Sequence, residues 1–473
     1  MKKLFFASLL FISTYVLAQE NYPFVAETDP QALQKLEDWK DWKFGLLMHW
    51  GPYSEWGVVE SWSLCPEDEG WTQRTKGNYK SYYEYVKDYE ALGKQFNPTK
   101  FDPQRWAKAA KEAGMKYMVF TTKHHDGFNM FDTKQSDYKI TASWVPFHTN
   151  PKADVTKEIF SAFRSEGFGI GAYFSKPDWH SENFWWPYFP PKDRNVNYDI
   201  KKYPERWKGF QDFTYNQINE LMSNYGKVDL LWLDGGWVRP DSTIDKNVEW
   251  ERNLPPGQDV NMPRIAKMCR QLQPGIVIVD RWVPGPFENY HTPEQEIPKK
   301  PLPYPCETCM TMGNSWSYVP NDQYKSTNTI IHNLIDVVAK GGNYLLNIGP
   351  GPDGEWDNTA YLRMKEVGDW MKINEEAIYK SRAIAPYKSG DVCFTQSKDG
   401  KIIYALQLLK ENEMAPPSIS FSGIDIPAKS TVQLVGTNKK LKWKKEGETT
   451  TVFLPKDGKA LHAVAVKIIL VKS

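Results

Sequence analysis

Leu231-Trp232-Leu233-Asp234-Gly235-Gly236-Trp237 reads as a buried strand that delivers a carboxylate to its own end. Apolar residues run straight into an acid, and two glycines then permit a sharp turn with close approach of a ligand. Trp232 lies two residues before Asp234, faces the same side of the strand and is placed to wall the site. An Asp at this junction equally suits capping of a following helix, so the stretch speaks first to the fold. The same texture recurs at 44–50, 117–122, 169–175, 228–234, 275–281 and 343–348, each a continuous apolar run of the kind covered on both faces. Helical stripes lie between these runs. Val155, Ile159 and Phe163 repeat at i, i+4, as do Ile330, Ile331, Leu334, Ile335 and Val338, while Pro103 opens a helix that Gly114 closes. Alternation of this kind predicts a parallel α/β fold.

The predicted strands end in polar residues: His49, the run His124-His125-Asp126, Asp234, Asp280 and Arg281. A (β/α)8-like barrel carries its chemistry at the C-terminal ends of its strands. An open doubly wound sheet would do likewise, but no Gly-rich phosphate turn follows the first strand, and the barrel is the reading taken. After about residue 385 the texture changes to short β-rich runs at 402–409, 418–421, 431–435, 450–454 and 463–471, separated by turn residues. These predict a small all-β sandwich domain, 384–473, behind a catalytic barrel domain, 20–383.

The 473 residues include 59 Lys and Arg against 58 Asp and Glu, a net charge of +1, which offers no electrostatic footprint for nucleic acid or an anionic membrane. The 20 Trp, 25 Tyr and 23 Phe supply rings suited to sugar faces as well as to a large core. Lys2 and Lys3, an apolar run to Ile12, and small residues at Val16 and Ala18 read as a signal peptide over residues 1–19. The chain is therefore expected to be exported, periplasmic or secreted, without a membrane anchor. Cys65, Cys269, Cys306, Cys309 and Cys393 are too scattered for a disulfide framework. Cys306 and Cys309 form a C-x-x-C pair with no second pair or nearby His to complete a zinc site; in an exported chain it has the option of closing, and a structural role is expected.

Hydrolysis of a glycoside needs two carboxyl groups across the scissile bond. Asp234 is the candidate for one. For the other, Glu288, Glu294, Glu296 and Glu307 all lie in one irregular stretch, and composition does not choose among them. The blocks 44–51 (FGLLMHWG), 123–128 (KHHDGF), 232–237 (WLDGGW) and 341–350 (GGNYLLNIGP) together resemble glycoside hydrolase family 29, the α-L-fucosidases, in family order from about Asp38 to Glu376. The resemblance implies a retaining exo-α-L-fucosidase acting on terminal fucose of oligosaccharides or glycoproteins through a covalent fucosyl–enzyme intermediate, with no cofactor. It assigns the nucleophile to Asp234. Thr292-Pro293-Glu294 resembles the family's Thr-x-Glu element and assigns the acid/base to Glu294, with Glu307 second because Cys306 replaces the Trp that usually precedes it. It also assigns sugar contacts to His49, His124, His125, Tyr173, Trp232 and Arg281. Glu60 and Trp62 resemble a family Glu–Trp pair into which Ser61 intrudes.

Two rival classes meet the same residues. His49, His124, His125, Asp126 and Asp234 resemble metal ligands, but neighbours within one strand point to opposite faces, so His124 and His125 are not expected to share an ion if both lie in the strand. A sugar-binding protein without catalysis would not need both carboxylates, and both are present.

Overall fold

The computed structural model describes residues 23–66, 74, 79, 81–437, 439–455 and 461–471; the signal peptide assigned to 1–19 lies outside them. Seven parallel strands form the first sheet: β1 (Phe44–Met48), β2 (Tyr117–Lys123), β3 (Gly169–Ser175), β4 (Leu230–Asp234), β5 (Val277–Val279), β6 (Glu307–Thr311) and β7 (Asn343–Ile348). They lie in the order β5-β4-β3-β2-β1-β7-β6, with every pairing parallel. The edges β5 and β6 do not pair directly; an irregular segment bonds to both. Asn289 N–H donates to Ile278 O at 2.9 Å, while Glu307 N–H donates to His291 O at 2.8 Å and Cys309 N–H to Pro293 O at 3.0 Å. Residues 288–295 thus close the ring where an eighth strand would stand, and Glu294 rides on this closing segment.

The register sorts side chains into an inner and an outer set. Leu47, Tyr117, Val119, Tyr173, Trp232, Val279, Cys309 and Leu345 fill the interior, which the N-terminal helix Pro30–Trp42 plugs from below with Leu36 and Trp39. Its cap is Asp29, whose carboxylate accepts from the Gln31 and Ala32 N–H groups. Gly45 faces inward too, and a Cβ there would lie 2.4 Å from the Tyr117 ring, so the glycine makes room for that ring. Outward residues such as Leu46, Phe120, Phe174, Leu233 and Leu346 join the helices in a second layer of core. Those helices include Pro103–Glu112, Val155–Ser165, Pro204–Asn224, Met262–Leu272, Thr327–Ala339 and Asn358–Asn374.

Behind the barrel, two antiparallel sheets share one core, in which Phe394, Ile403 and Val466 of the larger sheet meet Ile419, Phe421 and Val452 of the smaller. The alternate residues of the larger sheet, Cys393, Tyr404, Leu406 and Ala465, belong to the barrel's own core cluster. Trp370 Nε1 donates across this boundary to Ala463 O at 3.1 Å. The sandwich therefore packs against the barrel helices through the second face of its larger sheet. All five cysteines are free and buried, Cys306 and Cys309 included, so the C-x-x-C pair is not a disulfide here.

Candidate active site

Asp234 is the last residue of β4, where the inner register opens at the barrel mouth. Tyr173 OH donates to its Oδ2 at 2.6 Å and the Gly235 N–H to its Oδ1 at 2.8 Å. Arg281 Nε stands 3.4 Å from Oδ1, and His125 Nε2 is 3.8 Å from Oδ2. Burial by itself would raise the Asp234 pKa, but Arg281, His125 and these hydrogen bonds outweigh it and hold the carboxyl below its usual value. The site thus keeps an ionised carboxylate with 19% of its side chain open to solvent.

Arg281 reaches the second carboxylate as well, donating from Nη2 to Glu294 Oε2. One guanidinium therefore spans Asp234 and Glu294, holding the two acids within its own reach. Its Nη1 donates to Thr292 Oγ1 at 3.3 Å and lies 3.6 Å from Cys309 Sγ, while its carbon rests 4.6 Å from the Trp232 ring centroid. The backbone that aims it is unusual, because Arg281 and Trp282 have φ of 46° and 63°, a left-handed pair without glycine. Buried polar groups pin that turn from both sides. Trp282 N–H donates to Glu288 Oε1 at 3.0 Å, and Trp282 O accepts from Arg239 Nη2 at 2.8 Å. Gly236 completes the fit, since a Cβ there would meet Arg281 O at 2.4 Å.

The three histidines converge. His49 Nδ1 lies 2.8 Å from Asn347 Oδ1, His124 Nδ1 2.6 Å from Ser61 Oγ, and His125 Nδ1 2.8 Å from Ser175 Oγ. Each ring thus has Nδ1 engaged, which leaves Nε2 for a hydroxyl of a ligand. Burial lowers the pKa of His49 and His125 to about 4 each and that of His124 well below its usual value, so all three are neutral near pH 7. Trp62 sets its edge against His125 at 5.2 Å and packs on Trp179 and Trp237 at 5.5 and 5.6 Å. Ser61, the residue that intrudes between Glu60 and Trp62, also accepts from the Asp126 N–H at 2.9 Å and so ties this loop to the histidine turn. Glu60 is buried, and its Oε1 accepts from the Ser317 N–H at 3.0 Å. Burial, with the negative charges of Glu294 and Asp234, raises its pKa to about 8, keeping it neutral below that pH.

Most of the sequence-derived candidates meet at this mouth; Glu307 does not. It is the first residue of β6, fully buried, and accepts from Tyr117 OH at 2.6 Å and Trp232 Nε1 at 2.9 Å. It lies at the opposite end of its strand from the mouth, under the floor that Trp232 forms. Burial raises its pKa to about 7. Glu294, by contrast, has 41% of its side chain exposed. Asn347, Ser175 and Ser61 were not singled out as site residues. The period-two register places the first two, since Asn347 follows Leu345 and Ser175 follows Tyr173 on the inner face; nothing in the sequence marks Ser61.

The condition attached to the histidine pair, that both lie in the strand, is not met. β2 ends at Lys123, so His124 and His125 lie beyond the strand and its alternation, with ring centroids only 4.2 Å apart. Among the described residues, His124, His125 and Asp234 offer ligand atoms within 4.8 Å of one another. The fit to a dication is nonetheless poor, because Arg281 already supplies a cation beside Asp234 and Tyr173 OH occupies Oδ2. Asp126 is turned away, accepting from Tyr89 OH at 2.9 Å and Phe128 N–H at 3.2 Å.

Two carboxylates spanned by one guanidinium at the mouth of a parallel barrel, among neutral imidazoles and indoles, define a glycoside hydrolase. Likeness to known proteins narrows the class: the Alpha-L-fucosidase family matches residues 11–376, and the chain belongs to that family. Plasma alpha-L-fucosidase of Homo sapiens is 28% identical over 397 residues, covering 79% of this chain and 76% of its own. Alpha-L-fucosidase isoenzyme 1 from Paenibacillus thiaminolyticus superimposes with a TM-score of 0.74 at 28% identity, over 93% of this chain and 100% of that one. Thermotoga maritima alpha-fucosidase, solved in complex with a mechanism based inhibitor, gives 0.70 at 25% identity, over 94% and 100%.

Proposed function

We propose that this α-L-fucosidase is an exo-acting, retaining enzyme that removes terminal α-L-fucose from fucosylated oligosaccharides or glycoproteins by double displacement. The observation that carries the reading is the pair Asp234 and Glu294 bridged by Arg281, one carboxylate held ionised and the other open to solvent. In the first step Asp234 attacks the anomeric carbon; the bond to the leaving oxygen breaks as Glu294 gives that oxygen its proton. In the second step Glu294 takes a proton from water, the water oxygen bonds to the anomeric carbon, and the bond to Asp234 breaks. The neutral His49, His124 and His125 present Nε2 to the sugar hydroxyls without adding positive charge near a transition state that is itself cationic. Trp62 and Trp232 wall the ring.

The reading assigns catalysis to residues 20–383, with 384–473 as a support against the barrel helices. Export to the periplasm or the medium is part of the proposal and is supported by Lys2, Lys3 and the apolar run before Ala18. Among the described residues no helix is long and apolar enough to cross a membrane. Hydrolysis of an aryl α-L-fucoside followed by proton NMR, with and without chelator, tests the mechanism. α-L-Fucose released first, at an unchanged rate in chelator, is expected. β-L-Fucose released first would make the enzyme inverting, and activity lost to chelator and restored by zinc would replace the two-carboxylate mechanism.

A further inference from the structure

Asp234 and Glu294 are held by different means. Asp234 ends a strand paired along its length, whereas Glu294 rides on the closing segment with 41% of its side chain exposed. A retaining pair works at a fixed spacing, about 5–5.5 Å, so whatever fixes Glu294 bears on the rate. One residue of β6 frames it. Cys309 N–H donates to Pro293 O at 3.0 Å, and Cys309 O accepts from the Gln295 N–H at 2.9 Å. These bonds make a parallel bridge between Glu294 and Cys309.

In a continuing parallel ladder the Thr311 N–H would next donate to the Gln295 carbonyl, and Thr311 O would accept from the Ile297 N–H. The chain turns away first, because Gln295 has a left-handed φ of 54°. Side chains serve those two positions instead. Thr311 N–H donates to Gln295 Oε1 at 3.3 Å, and Thr311 O accepts from Lys325 Nζ at 2.6 Å. Gln295 Nε2 also donates to Thr311 Oγ1 at 3.1 Å, while the Thr311 hydroxyl gives its own proton to Gly313 O at 2.6 Å. Thr311 is buried, so the amide is anchored on a fixed partner. The Gln295 side chain thus stands in for its backbone carbonyl and lets the chain leave β6 directly after Glu294. A left-handed φ without glycine persists only where the surroundings hold it.

We propose that Gln295 is a positioning residue for Glu294: its side-chain amide, bonded to Thr311, fixes the turn that presents the Glu294 carboxyl to the leaving oxygen. The inference rests on the reading of Glu294 as acid/base. Gln295 acts through its neighbour. When the amide bonds are lost the turn relaxes, Glu294 shifts, and proton delivery suffers while attack by Asp234 is left alone.

The test measures kcat/KM, which reports the first displacement, on nitrophenyl and phenyl α-L-fucosides. Neither has a leaving sugar, and they differ in how much the departing oxygen needs a proton. Gln295→Met keeps the length of the side chain without the amide. It should lose about tenfold on the phenyl fucoside and less than about threefold on the nitrophenyl fucoside. Gln295 is exposed, so folding is expected to survive, which a thermal melt checks. Gln295→Gly, which the left-handed φ favours and which lacks the amide, should show the same asymmetry. In a Glu294→Ala background, adding Gln295→Met should change the phenyl fucoside rate by less than about twofold, because the group it positions is gone. Equal losses on both substrates would overturn the proposal, as would parent-like rates in Gln295→Gly or the full tenfold loss in the Glu294→Ala background. A Glu294→Ala enzyme that loses no more on the phenyl than on the nitrophenyl fucoside would withdraw the acid/base reading, and the proposal with it. That failure is distinct, since it appears with Gln295 intact.

Discussion

Tyr173→Phe removes one oxygen atom from the wall of the site. Tyr173 is fully buried, stacked on Trp232 at 5.3 Å, and its OH donates to Asp234 Oδ2 at 2.6 Å. Phe keeps the ring and its stacking, so the change is confined to the hydrogen bond. That bond is made to an ionised carboxylate, and such bonds contribute about 1.5–3 kcal/mol. It stabilises the charged form, so its loss raises the Asp234 pKa and moves the acid limb of kcat/KM toward higher pH. At pH values on that limb the variant should be slower by about 10- to 100-fold, and on the neutral plateau the loss should be much smaller. The same sign holds for stability: a carboxyl with a depressed folded pKa contributes stability at pH above its unfolded value, lost as pH falls through the folded one. The variant should lose part of that contribution. The assay is kcat/KM on an aryl fucoside from acid to neutral pH, with thermal melts across the same range. An acid limb that stays in place while activity falls equally at every pH would refute the link between Tyr173 and the ionisation of Asp234.

Glu60→Gln should move the alkaline limb to higher pH. The parent's Glu60 is neutral below about 8 and, on ionising above it, adds a negative charge beside Asp234 and Glu294, whereas Gln cannot ionise. A pH–rate profile reads this, and unchanged alkaline limbs would remove Glu60 from the titration. Glu294→Ala and Glu307→Ala should separate cleanly. The first should keep its melting temperature, hydrolyse oligosaccharides far less well than activated aryl fucosides, and respond to azide. The second should be destabilised by about 2–5 kcal/mol, because the buried Tyr117 OH and Trp232 Nε1 lose their acceptor, and azide should not help it. Glu288→Ala should release the left-handed turn at Arg281 and Trp282, raising the acid limb as the guanidinium leaves Asp234, while Glu288→Gln, which keeps the acceptor oxygen, should restore it. A Glu288→Ala variant with a lowered melting temperature and an unmoved acid limb would leave that residue a structural role alone.

The parts of the fold that were legible in the sequence are those where burial on both faces writes a continuous apolar run. The runs at 169–175 and 343–348 coincide with β3 (Gly169–Ser175) and β7 (Asn343–Ile348). β6 was invisible because its inner face carries Glu307, Cys309 and Thr311, a polar set in which Glu307 bonds to Tyr117 of β2 and Trp232 of β4 and Thr311 to Gly313 O just past the strand. The closing segment 288–295 has no strand pattern at all, since it pairs through isolated bridges and contains Pro293. In the site, Asp234 was legible because strand chemistry and motif coincide. The place of Glu307 was not, because sequence proximity to Glu294 conceals that one residue rises to the mouth and the other starts its strand at the floor. The histidine pair was not legible for a related reason: strand alternation holds only within a strand, and His125 lies two residues past the end of β2.

The role of Asp234 as nucleophile is tested most directly by trapping. A 2-deoxy-2-fluoro-fucosyl fluoride slows both steps by destabilising their cationic transition states, while its good leaving group still lets the first proceed, so the glycosyl–enzyme should accumulate. Peptic digestion and tandem mass spectrometry of the inactivated enzyme then locate the label. The expected result is one fluorofucosyl group per chain, esterified to Asp234 within Leu231-Trp232-Leu233-Asp234-Gly235-Gly236-Trp237. A label on any other carboxylate, or turnover with no covalent species at all, would contradict it.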